Sequence, residues 1–112
     1  MITPCSFGSI TIAGHTYDRD LIIFPDRVLA NWWRKEGQLF QLEDLRDALA
    51  YQPEVLVVGT GAHGAMKIAP EVPSHLQQAG IELIAQATPT ACQTFNGPVG
   101  QRRVAAALHL TC

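Results

Sequence analysis

The spacing of apolar and polar positions changes several times along the chain, and each change marks an element. Residues 9–13 alternate, with Ile10 and Ile12 on one side, which is the two-residue period of a half-buried strand. Gly14 and His15 then turn the chain. Residues 20–24 hold the apolar run Leu21, Ile22, Ile23 and Phe24, ended by Pro25 and Asp26. Proline presets the φ of a turn and aspartate bonds the local backbone, so residues 28–33 are expected to return as the second arm of a hairpin. In a strand, Trp32 and Trp33 point to opposite faces. One is then expected in the core, and its neighbour on a second layer, an edge or an interface. Residues 38–40 carry a further short strand.

Leu42, Leu45 and Leu49 make an i, i+3, i+7 stripe, widened by Ala48, which predicts an amphipathic helix over residues 42–50. Glu43 and Asp44 fall in its first turn, where the helix dipole favours anions, and Pro53 stops it. Val55, Leu56, Val57 and Val58 form a continuous run bounded by Pro53 and Gly59, the pattern of a strand buried on both faces. Beyond the loop 59–64, Pro70 and Pro73 break any long helix. Residues 74–79 form a short helix with Gly80 as its stop, and residues 81–85 the next strand. Thr88 as cap and Pro89 at the first helical position begin the last helix. Its face holds Ala91, Cys92 and Phe95, and Asn96, Gly97 and Pro98 end it. Residues 104–110 stay ambiguous, since three alanines favour helix while the short apolar run suits a buried strand equally. The order of elements predicts an α/β fold, a mixed sheet with helices on one face.

Composition narrows the class. The 112 residues suffice for one domain, residues 1–112, with a genuine core. The chain is 47% hydrophobic and 16% charged, slightly more apolar than an ordinary domain, which is compatible with an interface. The net charge of −2 comes with no block of like charges. The basic footprint needed for nucleic acid or anionic lipid is therefore absent. No apolar run approaches the ~20 residues that span a bilayer. The start, Met1-Ile2-Thr3-Pro4-Cys5, has neither the basic nor the apolar region of a secretory signal. Cys5, Cys92 and Cys112 are odd in number and widely spaced, so reduced thiols and a cytoplasmic location are expected. Cys92 reads as a small core hydrophobe, and Cys112 as exposed.

Gly59, Gly61 and Gly64 satisfy G-x-G-x-x-G after a predicted strand, and Glu82 follows about 20 residues on, as in a dinucleotide fingerprint. That fingerprint must open a helix whose amides hold the pyrophosphate. Here Gly64 leads through only five residues to Pro70, so the dinucleotide reading fails. The glycines read instead as backbone needing positive φ or close packing at a strand end. The functional alternative is a nest of glycine amides for a small anion, built from Gly59, Thr60, Gly61, His63 and Gly64, with Lys67 within reach. Arg102 and Arg103 read as solvated charges at the mouth of the last strand, or as contacts for an anion or an acidic partner. Trp32-Trp33-Arg34-Lys35 has the ingredients of a base-stacking platform, but no basic surface surrounds it. A core tryptophan with its neighbour at a partner interface fits better. Asp18 and Asp20 lack a third carboxylate and read as a turn and a strand start. His15, His63, His75 and His109 show no metal-ligand spacing, and Ser6, Ser9 and Ser74 occupy no nucleophile elbow. No catalytic residue, metal or cofactor is assigned.

Several segments together carry a familiar pattern. They are Ser6-Phe7-Gly8-Ser9-Ile10, Tyr17, Asp20-Leu21-Ile22-Ile23, Trp32-Trp33-Arg34, Glu43-Asp44-Leu45, the run from Pro53 to Gly61, Gly80-Ile81-Glu82, Asn96, and the run from Arg102 to Leu110. In this order, over nearly the whole chain, the sequence closely resembles the family that includes mitochondrial complex I assembly factor 3 and the adipogenesis-associated domain proteins. Many bacterial members of it are uncharacterised. The resemblance implies a three-layer β/β/α fold with a central mixed sheet, and it favours a strand for residues 104–110. It implies no established enzymatic activity, metal or cofactor. Eukaryotic relatives act in assembly of a respiratory complex through protein contacts. Gly97 and Pro98 interrupt a region that would otherwise continue as helix, so a shorter last helix is expected here.

The expected function is a non-catalytic protein-interaction or assembly-factor-like module. Its partner surface is drawn from Trp32, Trp33, Arg34, Arg102 and Arg103. The alternative is a small-anion or metabolite-binding protein, or an enzyme of unassigned chemistry, built at Gly59, Thr60, Gly61, His63 and Gly64 with a nearby arginine.

Overall fold

The computed structural model describes residues 2–6, 8–12, 14–25, 27–30, 32, 39–61, 64, 66–97 and 102–110. In chain order the strands are β1 (Ile2–Ser6), β2 (Ser9–Ile12), β3 (His15–Tyr17), β4 (Leu21–Phe24), β5 (Arg27–Leu29), β6 (Leu39–Phe40), β7 (Val55–Thr60), β8 (Lys67–Ile68), β9 (Glu82–Gln86) and β10 (Val104–His109). The helices are α1 (Arg46–Ala50), entered through a 3₁₀ turn at Leu42–Leu45, α2 (Glu71–Gln78) and α3 (Thr88–Asn96).

The uninterrupted apolar run of β7 becomes the buried interior of a five-stranded sheet of order β5-β4-β10-β7-β9. β7 runs parallel to both β10 and β9, while β4 is antiparallel to β10 and to β5, so the sheet is mixed. All six residues of β10 are buried, which decides the ambiguity of residues 104–110. The strand lies between β4 and β7 with layers on both faces. Ala105, Ala106 and Ala107 provide the small side chains that let those layers close, and tertiary packing outweighs their helix propensity.

Successive residues of the central strands face opposite layers. On one face Ile22, Phe24, Leu56, Val58, Ala105 and Ala107 pack with Phe40, Leu45, Ala48, Val72 and Leu76, beneath α1 and α2. On the other, Leu21, Ile23, Val55, Val57, Ala106 and Leu108 pack with Ile10 and Ile12 of β2 and with Ala91 and Cys92 of α3. Burying each such Leu, Ile or Val contributes about 1.5–3 kcal/mol. The architecture is thus α/β, a three-layer β/β/α sandwich around a mixed sheet. The antiparallel sheet β1-β2-β3 forms the second β layer. Two helices share one face as expected. α3 is the exception, since it packs beside the small sheet against β7 and β1.

Several local boundaries differ from the pattern-based expectation. β1, β3 and β8 are short or mixed in character and carry no period of their own. The hairpin arm after Pro25 ends at Leu29, before Trp32. Pro73 lies inside α2, at its third residue, where the first turn has no intrahelical use for the missing N–H. Gly80 does stop that helix: its φ is +75°, and the Gly80 and Ile81 N–H groups donate to Gln77 O and Leu76 O.

Candidate functional site

The glycine loop sits at the carboxyl end of β7, under the first turn of α3. A Cβ on Gly59 would lie 2.7 Å from Thr88 Oγ1 and 2.9 Å from Leu108 Cδ2, so close approach excludes any side chain there. Gly61 and Gly64 have φ of +102° and +70°, a region that disfavours other residues. The Gly61 N–H donates to Thr88 Oγ1 at 2.9 Å, and that hydroxyl donates to His109 O at 2.5 Å. Thr88 N–H returns to Gly61 O at 2.9 Å, Gly64 N–H to Gly61 O at 3.1 Å, and Met66 N–H to Thr60 O at 3.0 Å. The Thr60 hydroxyl donates to Gln86 O at 3.1 Å. An anion nest needs amides aimed together at an open point. Here the N–H groups of Gly61 and Gly64 and the hydroxyls of Thr60 and Thr88 bond to the chain itself. His63 lies outside the described residues.

Thr88 was expected to cap α3. It is instead the first helical residue, after Ala87 as N-cap, with Pro89 second. Its hydroxyl is drawn away from the helix amides because it joins the ends of β7 and β10.

Beside the loop, on the α1/α2 face, lies a pair that the sequence spacing does not signal. His109 Nδ1 is 2.8 Å from Asp20 Oδ2, with side chains 6% and 17% exposed. Asp20 Oδ1 accepts the Leu110 N–H at 2.8 Å, and Asp20 O accepts the Trp32 N–H at 2.8 Å. His109 is the register partner of Thr60 across the parallel pair β10/β7. The two residues meet because β4 begins where the antiparallel β10 ends. The only sequence hint is that each borders an apolar run.

Arg102 and Arg103 stand at the opposite end of the sheet. They precede β10, whose six residues at about 3.3 Å each separate them from the glycine loop by roughly 17–20 Å. The expectation of a loop site with a nearby arginine is therefore corrected for these two. Arg102 is paired with Glu82 at 3.2 Å and Glu54 at 3.8 Å, all three substantially exposed. Arg103 donates to the carbonyls of Gln52 and Tyr51 and lays its guanidinium over the Tyr51 ring at 4.1 Å. Tyr51 is the C-cap of α1, and a cation on the carbonyls just past a helix end suits the helix dipole. It also holds Gln52, a non-glycine residue at φ +55°.

Trp32 belongs to the core, and its expectation as partner surface is corrected. It is 6% exposed, its indole N–H donates to Asp44 O at 3.0 Å, and it meets Phe40 edge-on at 5.5 Å. A buried indole needs such an acceptor, and Asp44 within the Leu42–Leu45 turn provides it. Trp33 and Arg34 lie outside the described residues.

A cleft of about 370 Å³ opens elsewhere, lined by Leu49, Gln52, Pro53, His75, Ala79 and Ile81. None of the candidate loop or partner-surface residues lines it. Among the described residues, no three His, Cys, Asp or Glu side chains gather as a metal site, and no helix is long and apolar enough to cross a membrane.

Comparison with known proteins gives this arrangement a family. The chain is 46% identical over 98 residues to NADH dehydrogenase (ubiquinone) 1 alpha subcomplex assembly factor 3 of Danio rerio, a match covering 86% of this chain and 55% of that protein. The factor of the same name from Xenopus tropicalis is 41% identical over 54 residues, 48% of this chain and 29% of that protein. The chain thus spans about half the length of the first of these relatives and under a third of the second. Among solved structures, a conserved hypothetical protein of Pyrococcus horikoshii superposes with a TM-score of 0.84 at 27% identity, over 100% of this chain and 99% of that one. Residues 2–109 match the model of a family described as protein of unknown function, DUF498/DUF598, and the chain belongs to that family.

Proposed function

We propose that the chain is a non-catalytic protein-interaction module with an assembly-factor-like role in the cytoplasm. Its likeness to a protein named for assembly of an NADH dehydrogenase subcomplex supports a protein partner from that machinery. One observation carries the choice between a protein contact and a small-ligand loop. The Gly61 N–H is bonded to Thr88, whose hydroxyl is in turn bonded to His109 O. Groups that would greet an anion thus hold the fold together. Arg102, exposed and only loosely paired, remains available to an acidic partner. The test is cross-linking and affinity capture of the tagged chain from its own cells, beside an unrelated tagged control. Specific enrichment of NADH dehydrogenase subunits or their assembly proteins is expected. A chain that brings down none of these, and instead carries a stoichiometric small molecule in native mass spectrometry, would overturn the reading.

A further inference from the structure

β9 forms one border of the five-stranded sheet, and among the described residues it pairs with β7 alone. None of its five residues is buried, although three are Leu83, Ile84 and Ala85. Every residue of β7 and β10 is buried. A sheet edge presents a row of backbone N–H and C=O groups, and proteins usually blunt it with proline, lysine, a bulge or a very short strand. The other border is treated in that way: β5 has three residues, begins with Arg27 and follows closely on Pro25. β9 has one such device only, the exposed charge of Glu82 at its first residue. It keeps unbroken register with β7 from Glu82 to Gln86 and contains no proline, lysine or glycine.

We propose that β9 is a self-docking edge, where two copies of the chain join antiparallel about Ile84 and continue the sheet across a two-fold axis. Such an isologous contact must be self-complementary, and this sequence is. Centring on Ile84 sets Ile84 opposite Ile84, Leu83 opposite Ala85, and Glu82 opposite Gln86. Residues directly opposite share a face. Leu83 packs against the core beneath α1 and α2, and Ile84 against the core beneath α3. The pairing therefore extends both cores from one copy to the next. The strand's single charge, Glu82, meets an amide and not another carboxylate. Gln86 Oε1 already accepts from Thr94 Oγ1 at 2.6 Å, which leaves the Gln86 NH₂ as the donor to Glu82 of the second copy. A one-residue slip would set Glu82 against an apolar side chain and break the match of faces.

Five-residue strands bury less than a standard interface, so the dimer is weak, with Kd on the order of 10–100 µM. The test is sedimentation velocity of the full chain from about 1 to 300 µM, a range that brackets that Kd. It is run on the wild type and on Ala85→Lys, and Ala85 is exposed, so the lysine does not crowd the core. The wild type is expected to shift from monomer to dimer as concentration rises. Ala85→Lys should remain monomeric with unchanged circular dichroism. Hydrogen exchange on the wild type is the second readout and serves even where the variant fails to fold. The Glu82 N–H already donates to Glu54 O, and by the alternation of a parallel ladder the N–H groups of Leu83 and Ala85 face the open edge, so those two amides should exchange several-fold more slowly in the concentrated sample. A chain monomeric throughout, a dimer indifferent to a folded Ala85→Lys, or concentration-dependent protection that spares β9 overturns the proposal.

Discussion

Asp20 and His109 stand 89 positions apart in the sequence and 2.8 Å apart in the fold. The carboxylate's other oxygen holds the Leu110 N–H, and the Asp20 carbonyl holds the Trp32 N–H. One residue thus binds the start of β4, the end of β10 and the segment carrying the buried tryptophan. The adjoining Leu110 carbonyl accepts the Gly8 N–H at 2.9 Å, which brings the small sheet to the same corner.

Asp20→Ala should therefore destabilise by more than a surface substitution. It removes the acceptor of the Leu110 amide and of the His109 ring in a largely buried setting. A loss of about 2–4 kcal/mol is expected, against about 1–2 kcal/mol for Asp20→Asn, which keeps an acceptor oxygen and similar volume. Urea unfolding of the three proteins measures both. Equal stability of Asp20→Ala and wild type would mean that the pair contributes nothing.

The contact between Gly59 and Thr88 makes a coupled prediction. Gly59→Ala drives a methyl into Thr88 Oγ1 and Leu108 Cδ2, with the Thr88 Cα 3.3 Å away. Overpacking of this kind costs about 1–3 kcal/mol. Thr88→Ala removes one of the colliding atoms but also deprives Gly61 N–H and His109 O of their shared partner, at about 1–3 kcal/mol. The double variant should lose less than the sum of the two, by about 0.5–1.5 kcal/mol. Strict additivity in a thermal or urea cycle would show that the two positions do not meet.

These two relationships mark where the sequence is legible and where it is not. β4 and β7 are readable because their apolar runs are bounded by turn residues and buried on both faces. β10 is not, because Ala105, Ala106 and Ala107 speak for helix and only the flanking strands outvote them. The need for glycine at positions 59, 61 and 64 is evident from the pattern, and two of the three do adopt positive φ. The reason for Gly59 is a hydroxyl 29 positions later, which no local spacing encodes. The same holds for Trp32, whose burial depends on a carbonyl of the Leu42–Leu45 turn. It holds also for Arg103, which looks like a solvated charge until the segment after α1 delivers the Tyr51 and Gln52 carbonyls.

Arg102 and Arg103 should separate cleanly on mutation. Arg103→Ala loses two hydrogen bonds to the Tyr51 and Gln52 carbonyls just after α1 and the stacking on Tyr51, and is expected to cost about 1–2.5 kcal/mol. Arg103→Lys should recover only part of that, because a point charge does not reproduce the planar fork. Arg102→Ala breaks exposed ion pairs alone and should stay within about 0.5 kcal/mol. Thermal unfolding of the three variants ranks them, and a larger loss at Arg102 would reverse the assignment of roles.

Trp32→Phe tests the corrected position of the indole. The substitution keeps an aromatic ring against Phe40 but abandons the bond to Asp44 O and leaves unfilled space. A cost of about 1–3 kcal/mol is expected. Fluorescence adds an independent readout, since the buried Trp32 should contribute a blue-shifted, weakly quenched component that disappears in the variant. Retention of that component would contradict its burial.

The glycine loop makes the last prediction. Binding of a ligand at a hundred times its Kd stabilises the folded state by about 2.7 kcal/mol. For a chain of this length each kcal/mol moves the Tm by roughly 4–8 °C, so even partial occupancy is visible in a thermal shift experiment. With the Gly61 and Gly64 amides and the Thr60 and Thr88 hydroxyls bonded internally, phosphate, simple carboxylates and nucleotides should leave the Tm unchanged. The informative control is Thr88→Ala at a temperature where it remains folded. That change releases the Gly61 N–H from its bond, so any anion response appearing in the variant alone would measure the nest that Thr88 keeps closed. A saturable response already present in the wild type would instead mean that the loop opens at little cost, and would restore the small-ligand reading.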